Sequence, residues 1–291
     1  MSIKKGSFAV GLLCYVLWGI LPIYWNLLAD VNPFLILCCR IVFAFVFMIC
    51  TLLVTGRMQV FRDTLKDRDA MRFLIPASVM ITMNWGIYIW AVNSGHILDS
   101  SLGYYLNPLV VFLIGIVLFK EKSTKLQLAA VALAFTGVMI SVIAYGKFPV
   151  ISISLSLTFA TYGALKKKAH ADPVASIAVE SMIITPLAIA FALFFMSDSI
   201  RAVGTADILL LVGGGAVTAV PLVMYSSAVN DIPFIIVGFF QYISPSLALV
   251  YGLMRGEHLS ASQVVSFLFI WLGLIVFSVA LFRKNTVSTT T

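Results

Sequence analysis

The sequence predicts an all-α polytopic membrane protein with ten transmembrane helices, arranged as two inverted five-helix repeats. Three observations carry this: an extremely apolar composition, ten apolar runs of bilayer length, and a polar pattern that repeats at half the chain. Of 291 residues, 61% are hydrophobic and 11% charged, with a mean hydropathy of +1.06. Soluble domains run at about 45–50% apolar and about 25% charged. A chain this apolar cannot bury its side chains in one soluble core and still cover its outside with polar groups. Soluble enzymes, disulfide scaffolds, disordered chains and nucleic-acid-binding domains are excluded, and a lipid bilayer is the expected surrounding.

The first run, Ser7–Ala29, is about as long as a bilayer span and lacks an A-x-A-like cleavage site, so it reads as a retained helix. Pro33–Thr55 and Arg72–Asn93 follow, then Ser101–Phe119 and Leu126–Tyr145. The second half holds Pro149–Leu165, Pro173–Met196, Ile208–Val229, Phe234–Met254 and Ala261–Phe282. Short polar or Gly/Pro turns separate them. The runs do not alternate apolar and polar residues as barrel strands do.

With the N-terminus in the cytoplasm, fifteen Lys and Arg lie on the cytoplasmic side, among them Lys4, Lys5 and the run Lys166–Lys168. Three, Lys147, Arg201 and Arg255, lie outside. This bias sets orientation and requires an even number of spans. The net charge of +7 is therefore topological, and no nucleic-acid partner is needed to explain it. Cys14, Cys38, Cys39 and Cys50 all lie in apolar runs without metal-ligand company and read as buried free thiols. No metal or cofactor is expected.

A shift of 137 residues places Tyr88, Ala91, Val92 and Asn93 on Tyr225, Ala228, Val229 and Asn230, and Tyr105, Pro108 and Gly115 on Tyr242, Pro245 and Gly252. One residue of slack carries Glu121, Gln127 and Gly137 onto Glu257, Gln263 and Gly273. The repeats are expected at 1–145 and 146–291. Five spans per half put the second half upside down relative to the first. Inverted repeats build many secondary transporters, with a midplane substrate site where the halves meet.

Charge inside a span is costly and points to function. Pro33 and Pro173 each open a span, and Arg40 and Glu180 follow seven residues later, about 10 Å inside opposite faces. Arg40 keeps its proton and suits a substrate carboxylate or the capping of exposed carbonyls, though its depth also permits snorkelling. Glu180 is the deepest carboxylate and the candidate proton carrier, or else a hydrogen-bonding group locking helices together. Protons are thus the candidate coupling ion.

Pro108 and Pro245 sit mid-span and are expected to interrupt their helices, freeing the carbonyls of Tyr104 and Gln241. Backbone broken in this way is tolerated where it lines a cavity, which makes Tyr105, Asn107, Gln241 and Tyr242 candidate lining residues. Asn84, Trp85 and Tyr88 share one helical face, and Trp18 lies mid-span beside Gly19; these aromatics suit an amphipathic small-molecule substrate, with plain packing as the alternative. Tyr24, Trp25, Trp90 and Trp271 lie nearer span ends and read as interface anchors. His96, His170 and His258 lie in loops or at span ends, without the serine or acidic partner that hydrolysis needs. No phosphate-binding loop is present, so neither an enzyme nor an ATP-driven pump is expected.

The runs Leu17-Trp18-Gly19-Ile20-Leu21-Pro22, Asn84-Trp85-Gly86-Ile87-Tyr88-Ile89-Trp90-Ala91-Val92-Asn93 and Gln241-Tyr242-Ile243-Ser244-Pro245 resemble the RarD-like subgroup of EamA-type permeases in the drug/metabolite transporter superfamily. So do Ser101-Leu102-Gly103-Tyr104-Tyr105-Leu106-Asn107-Pro108-Leu109, Val179-Glu180-Ser181 and Phe269-Ile270-Trp271-Leu272. The resemblance spans essentially the whole chain. It implies a bacterial inner-membrane permease with both termini cytoplasmic, working as an exporter. RarD-like proteins are described as chloramphenicol-sensitive permeases, and relatives in the superfamily export amino acids and other metabolites. Arg40 and Glu180 match positions expected to be charged in the subgroup. Cys38-Cys39 stands where a His-Arg pair is usual, which removes any mechanism needing that histidine. The expected activity is alternating-access export of a small amphipathic, amino-acid-like or drug-like metabolite. Alternatives are an uncoupled facilitator and a non-transporting partner- or lipid-binding protein. The sequence names no substrate and no oligomeric state.

Overall fold

A computed structural model of the chain describes residues 5–254 and 260–287; Lys4, Arg255, Glu257 and His258 lie outside the described residues. Among the described residues there are thirteen helices and no strand: α1 (Lys5–Asn26), α2 (Pro33–Val54), α3 (Met58–Lys66), α4 (Arg68–Asn93), α5 (Ile97–Val117), α6 (Lys125–Tyr145), α7 (Val150–Ala169), α8 (Pro173–Phe195), α9 (Ser197–Arg201), α10 (Thr205–Asp231), α11 (Phe234–Phe240), α12 (Ile243–Met254) and α13 (Ala261–Val287). The short helices α3 and α9 were not expected.

Among the described residues nine segments are long and apolar enough to cross a membrane, counting α11 with most of α12 as one. The remaining expected span is α7, whose Ser152, Ser154, Ser156, Thr158 and triple lysine lower its apolarity. Its hydroxyls are hidden by bonding carbonyls of their own helix, as Ser154 does to Val150 (2.9 Å) and Thr158 to Ser154 (2.7 Å). Ser152 and Ser156 are fully buried and donate to the Asp99 and Gly103 carbonyls of α5. Thus α7 turns its polar side onto α4 and α5, while Leu157 stays half exposed. At the lipid-facing extreme, Val54 is 88% and Phe194 82% exposed, which in water would be an aggregation surface.

Matched positions of the two halves do matched work. Asn32 caps α2 through Phe34 N–H (2.9 Å), and Asp172 caps α8 through Val174 N–H (3.1 Å), each with proline as the first helical residue. Thr124 with Gln127 opens α6 by a reciprocal capping box, and Ser260 with Gln263 opens α13 in the same way. α6 and α13 pack closely and antiparallel. A Cβ on Gly137 would lie 2.6 Å from the Ser266 carbonyl, and one on Gly273 would lie 2.8 Å from the Ala130 carbonyl. Small residues let such backbones approach within a membrane.

The principal interfaces also exchange between halves. α4 packs on α7 as α10 packs on α1; α5 on α7 as α12 on α1; α2 on α10 as α8 on α4; α2 and α8 meet each other. At one end of the bundle, Ser7 of α1 bonds Asp231 of α10 (2.5 Å) and Arg57 pairs with Asp172 (2.5 Å). There too Glu121 accepts from the Phe234 and Ile235 N–H groups that open α11 (2.7 and 3.0 Å). At the other end, Tyr24 of α1 donates to the Leu210 carbonyl of α10, and Tyr145 of α6 bonds Asp99 of α5.

Candidate functional site

Asn32 and Pro33 fix where α2 starts, and that start sets the depth of Arg40. Its Nε donates to Thr218 Oγ1 of α10 at 3.1 Å. Its guanidinium carbon lies 4.2 Å from the Trp85 ring of α4 and 4.9 Å from the Trp25 ring at the end of α1. Cation–π contacts of this kind contribute about 0.5–2 kcal/mol each. One turn beyond Trp85, Tyr88 packs edge-on against Tyr104 of α5 (5.8 Å). Among the described residues no carboxylate pairs with Arg40. Trp25, expected as an interface anchor, belongs instead to this guanidinium cage. The sequence places it near the helix end, but α2 and α1 turn the ring and the cation toward each other. Trp90 stays half exposed and stacks on His96, in keeping with an anchor.

Directly beside Arg40's partners lies a cavity of about 20 Å³ between α2, α4, α8 and α10. Trp85 and Thr218 line one end and Glu180 the other, with Ser78, Thr82, Ser181 and Ile41 among the residues between. That volume holds about one water molecule.

Glu180, 5% exposed, accepts from Lys166 Nζ at 2.6 Å and from the Tyr162 hydroxyl at 3.1 Å. Lys166 also donates to Ser176 Oγ (2.6 Å), which lies 3.3 Å from Ser226 Oγ. Tyr162 stacks on Tyr225 (5.9 Å, 14°). Lys166 is therefore not the solvated cytoplasmic charge that the lysine run suggested: its side chain is 1% exposed. The reason is geometric. α7 and α8 reverse direction over three residues, so a lysine one turn before the reversal meets a glutamate two turns after it. Glu180's need of a counter-charge was the sequence signal for this partner. Lys167 is likewise engaged, bonding the Val229 and Ile232 carbonyls (3.0 and 2.8 Å). Cys14 and Cys38 are buried as expected, but Cys50 is exposed on α2.

The other predicted residues do not line this cavity. Trp18 packs into an aromatic cluster with Tyr15, Phe159 and Tyr225 (5.1, 5.7 and 5.5 Å). Asn84 turns to α7, donating to the Leu155 carbonyl (2.8 Å) and Thr158 (2.9 Å), although it neighbours Trp85 in sequence. Asn107 donates to the Ser156 carbonyl (2.9 Å), and the Tyr242 hydroxyl donates to the Tyr105 carbonyl (3.3 Å). Gln241 is buried where α11 gives way to α12. The side-chain oxygens of Asn107 and Gln241 are buried without a hydrogen-bond partner.

The expected interruption at Pro108 does not occur: α5 runs unbroken through it. Ser156 and Tyr242 from adjacent helices donate to the Gly103 and Tyr105 carbonyls on either side of the freed one, and this flanking packing keeps α5 continuous. In the other half the break falls at Gln241–Tyr242, before Pro245. Pro245 then lies in the first turn of α12, where a missing N–H leaves nothing unsatisfied.

The profile of the EamA-like transporter family matches residues 5–143 and 149–279. The chain belongs to the EamA-like transporter family. An uncharacterized transporter of Pseudomonas aeruginosa is 37% identical to this EamA-like chain, over 97% of it and 96% of the relative. Protein RarD of Escherichia coli is 34% identical over 92% of each chain. A solved crystal structure at 16% identity superposes with a TM-score of 0.75, covering 94% of this chain and 97% of that one, which shows a shared fold. The EamA-like chain is accordingly a multi-pass inner-membrane transporter of the drug/metabolite superfamily and not an enzyme.

Proposed function

We propose that the protein is an alternating-access exporter of a small amphipathic metabolite, with its substrate site between two inverted repeats, residues 1–145 and 146–291. The observation that carries this reading is the cavity between α2, α4, α8 and α10, bounded by Arg40's partners at one end and Glu180 at the other. These four helices come from both repeats and pack in interfaces that exchange when the halves are exchanged. The double match of the family profile supports the repeat division. Rocking one half against the other opens the cavity to each side in turn.

Arg40, Trp85, Tyr88 and Glu180 are the proposed contacts of the closed site. Trp18, Asn84, Tyr105, Asn107, Gln241 and Tyr242 form a second seam, in which the unpartnered Asn107 and Gln241 oxygens would meet substrate when the halves part. Ser7–Asp231 and the antiparallel α6–α13 packing support both termini lying on one face, and the positive bias makes that face cytoplasmic.

Efflux from proteoliposomes loaded with amino acids or phenicol-type drugs tests the reading. Movement above empty-vesicle leak is expected for at least one solute; no movement of any would overturn it. The Lys166 partner of Glu180 supports a second reading, an uncoupled facilitator, since the carboxylate is already neutralised from within. Imposing a pH gradient separates the two: acceleration implicates proton coupling, and indifference implicates facilitation.

A further inference from the structure

The two charged sites inside the bundle are not balanced alike. Lys166 and Glu180 neutralise each other at 2.6 Å. Arg40 stays charged, yet its hydrogen bond to Thr218 goes to a neutral oxygen through Nε. Its two terminal nitrogens have no hydrogen-bond or ion-pair partner among the described residues. A guanidinium fork is shaped to receive two oxygens of one planar anion. The indoles of Trp25 and Trp85 face its charge at 4.9 and 4.2 Å, and one turn beyond Trp85 stand Tyr88 and, edge-on against it, Tyr104, each more than a third exposed. An uncompensated cation this far inside a bilayer is costly, and its aromatic surround would hold an apolar body next to the anion.

We propose that Arg40 is the binding site for an organic carboxylate carrying an apolar or aromatic body, with the carboxylate on the terminal guanidinium nitrogens and the body against Trp85, Tyr88 and Tyr104. This rests on the substrate site assigned above and names the class of solute it takes. Trp85 and Thr218 belong both to Arg40's surround and to the cavity wall, so a carboxylate held there sits at the mouth of the space between the halves. An inorganic anion such as chloride would satisfy the charge but leave the aromatic faces unused.

The test compares 3-phenylpropionate with its neutral isostere 3-phenylpropionamide on the purified full chain. The protein is held in zwitterionic-lipid nanodiscs, with sulfate as background salt. Intrinsic fluorescence sums five tryptophans, so a change that is lost in Trp85→Phe reports on the site beside Arg40, and thermal unfolding reports stabilisation. The acid is expected to shift both readouts and to bind at least tenfold more tightly than the amide. Arg40→Gln should erase that preference, and Arg40→Lys should keep part of it. Equal binding of acid and amide, the same shift from chloride at equal ionic strength, or a preference that survives in Arg40→Gln would each overturn the proposal. Because the acid–amide comparison needs no variant, it decides even if Arg40→Gln folds poorly. A protein that exports a neutral solute but ignores the acid would sink this inference and leave the transport reading standing. Acid binding without any transport would do the reverse.

Discussion

Arg40 and Glu180 stand seven residues after matched prolines, Glu180 in the wall of one cavity and Arg40 behind that wall, bonded to Thr218 of its lining, yet the protein treats them differently. Around Glu180 every charge is met at short range: Lys166, Tyr162, and through Lys166 also Ser176. Around Arg40 the positive charge meets two aromatic faces and a single hydroxyl. The first arrangement is closed, and disturbing either member strands the other. The second is open on one side, so a partner can arrive and leave. Equal position in the repeat therefore does not mean equal role. What differs is whether the neighbouring helix supplies the opposite charge.

Breaking the closed end should have the largest effect. Glu180→Gln or Lys166→Met leaves its partner as a lone buried charge, and each is expected to lower stability by about 3–5 kcal/mol. The double variant Lys166→Met/Glu180→Leu should recover most of the loss, because replacing a buried ion pair by apolar groups of similar volume is often neutral. Denaturation midpoints of the purified singles and double read this directly; a double as unstable as the singles would mean that the pair is not the unit. Arg40→Gln should cost half as much as Glu180→Gln or less, since the lost guanidinium strands no opposite charge. If the two cost the same, the contrast between the ends disappears. Trp85→Leu removes the nearer cation–π face and is expected to cost about 0.5–2 kcal/mol in the same measurement, while weakening retention of any solute held beside Arg40. Smallest of all should be Arg57→Ala. The Arg57–Asp172 pair lies at the same end as Lys166 but is 41% and 22% exposed, so water and salt screen it. A change of about 1 kcal/mol or less is expected, shrinking further in high salt. The short distance of this pair thus carries less weight than the burial of the other.

Much of the scaffold is legible in the chain itself. Pro33 and Pro173, Gln127 and Gln263, and Gly137 and Gly273 stand out as a repeat without knowledge of any contact. Each pair has one local role, whether opening a helix, closing a capping box, or letting two backbones touch. Such roles depend on a few neighbouring residues, so sequence exposes them. Trp25, Lys166 and Asn84 escape a sequence reading because their roles depend on another helix. Trp25 and Lys166 sit near helix ends, where sequence alone suggests membrane interface and loop. Asn84 shares a face with Trp85 on paper, but one residue of helix rotation, about 100°, is enough to send it to α7. The proline reading failed for a related reason. Whether a proline opens a helix depends on what packs around it, and Ser156 and Tyr242, which hold the Gly103 and Tyr105 carbonyls flanking the freed one, come from elsewhere in the chain.

By itself the sequence determined that this chain lives in lipid and where most of its spans begin and end. Hydropathy, helix rise and capping chemistry are properties of the local chain, and they suffice for that. Tertiary structure alone decided that Glu180 is answered by Lys166 while Arg40 is answered by indole rings. Pairing across helices turns on rotation and approach within a few ångströms. Lipid solvates every apolar face equally, so no hydropathy pattern records which faces meet.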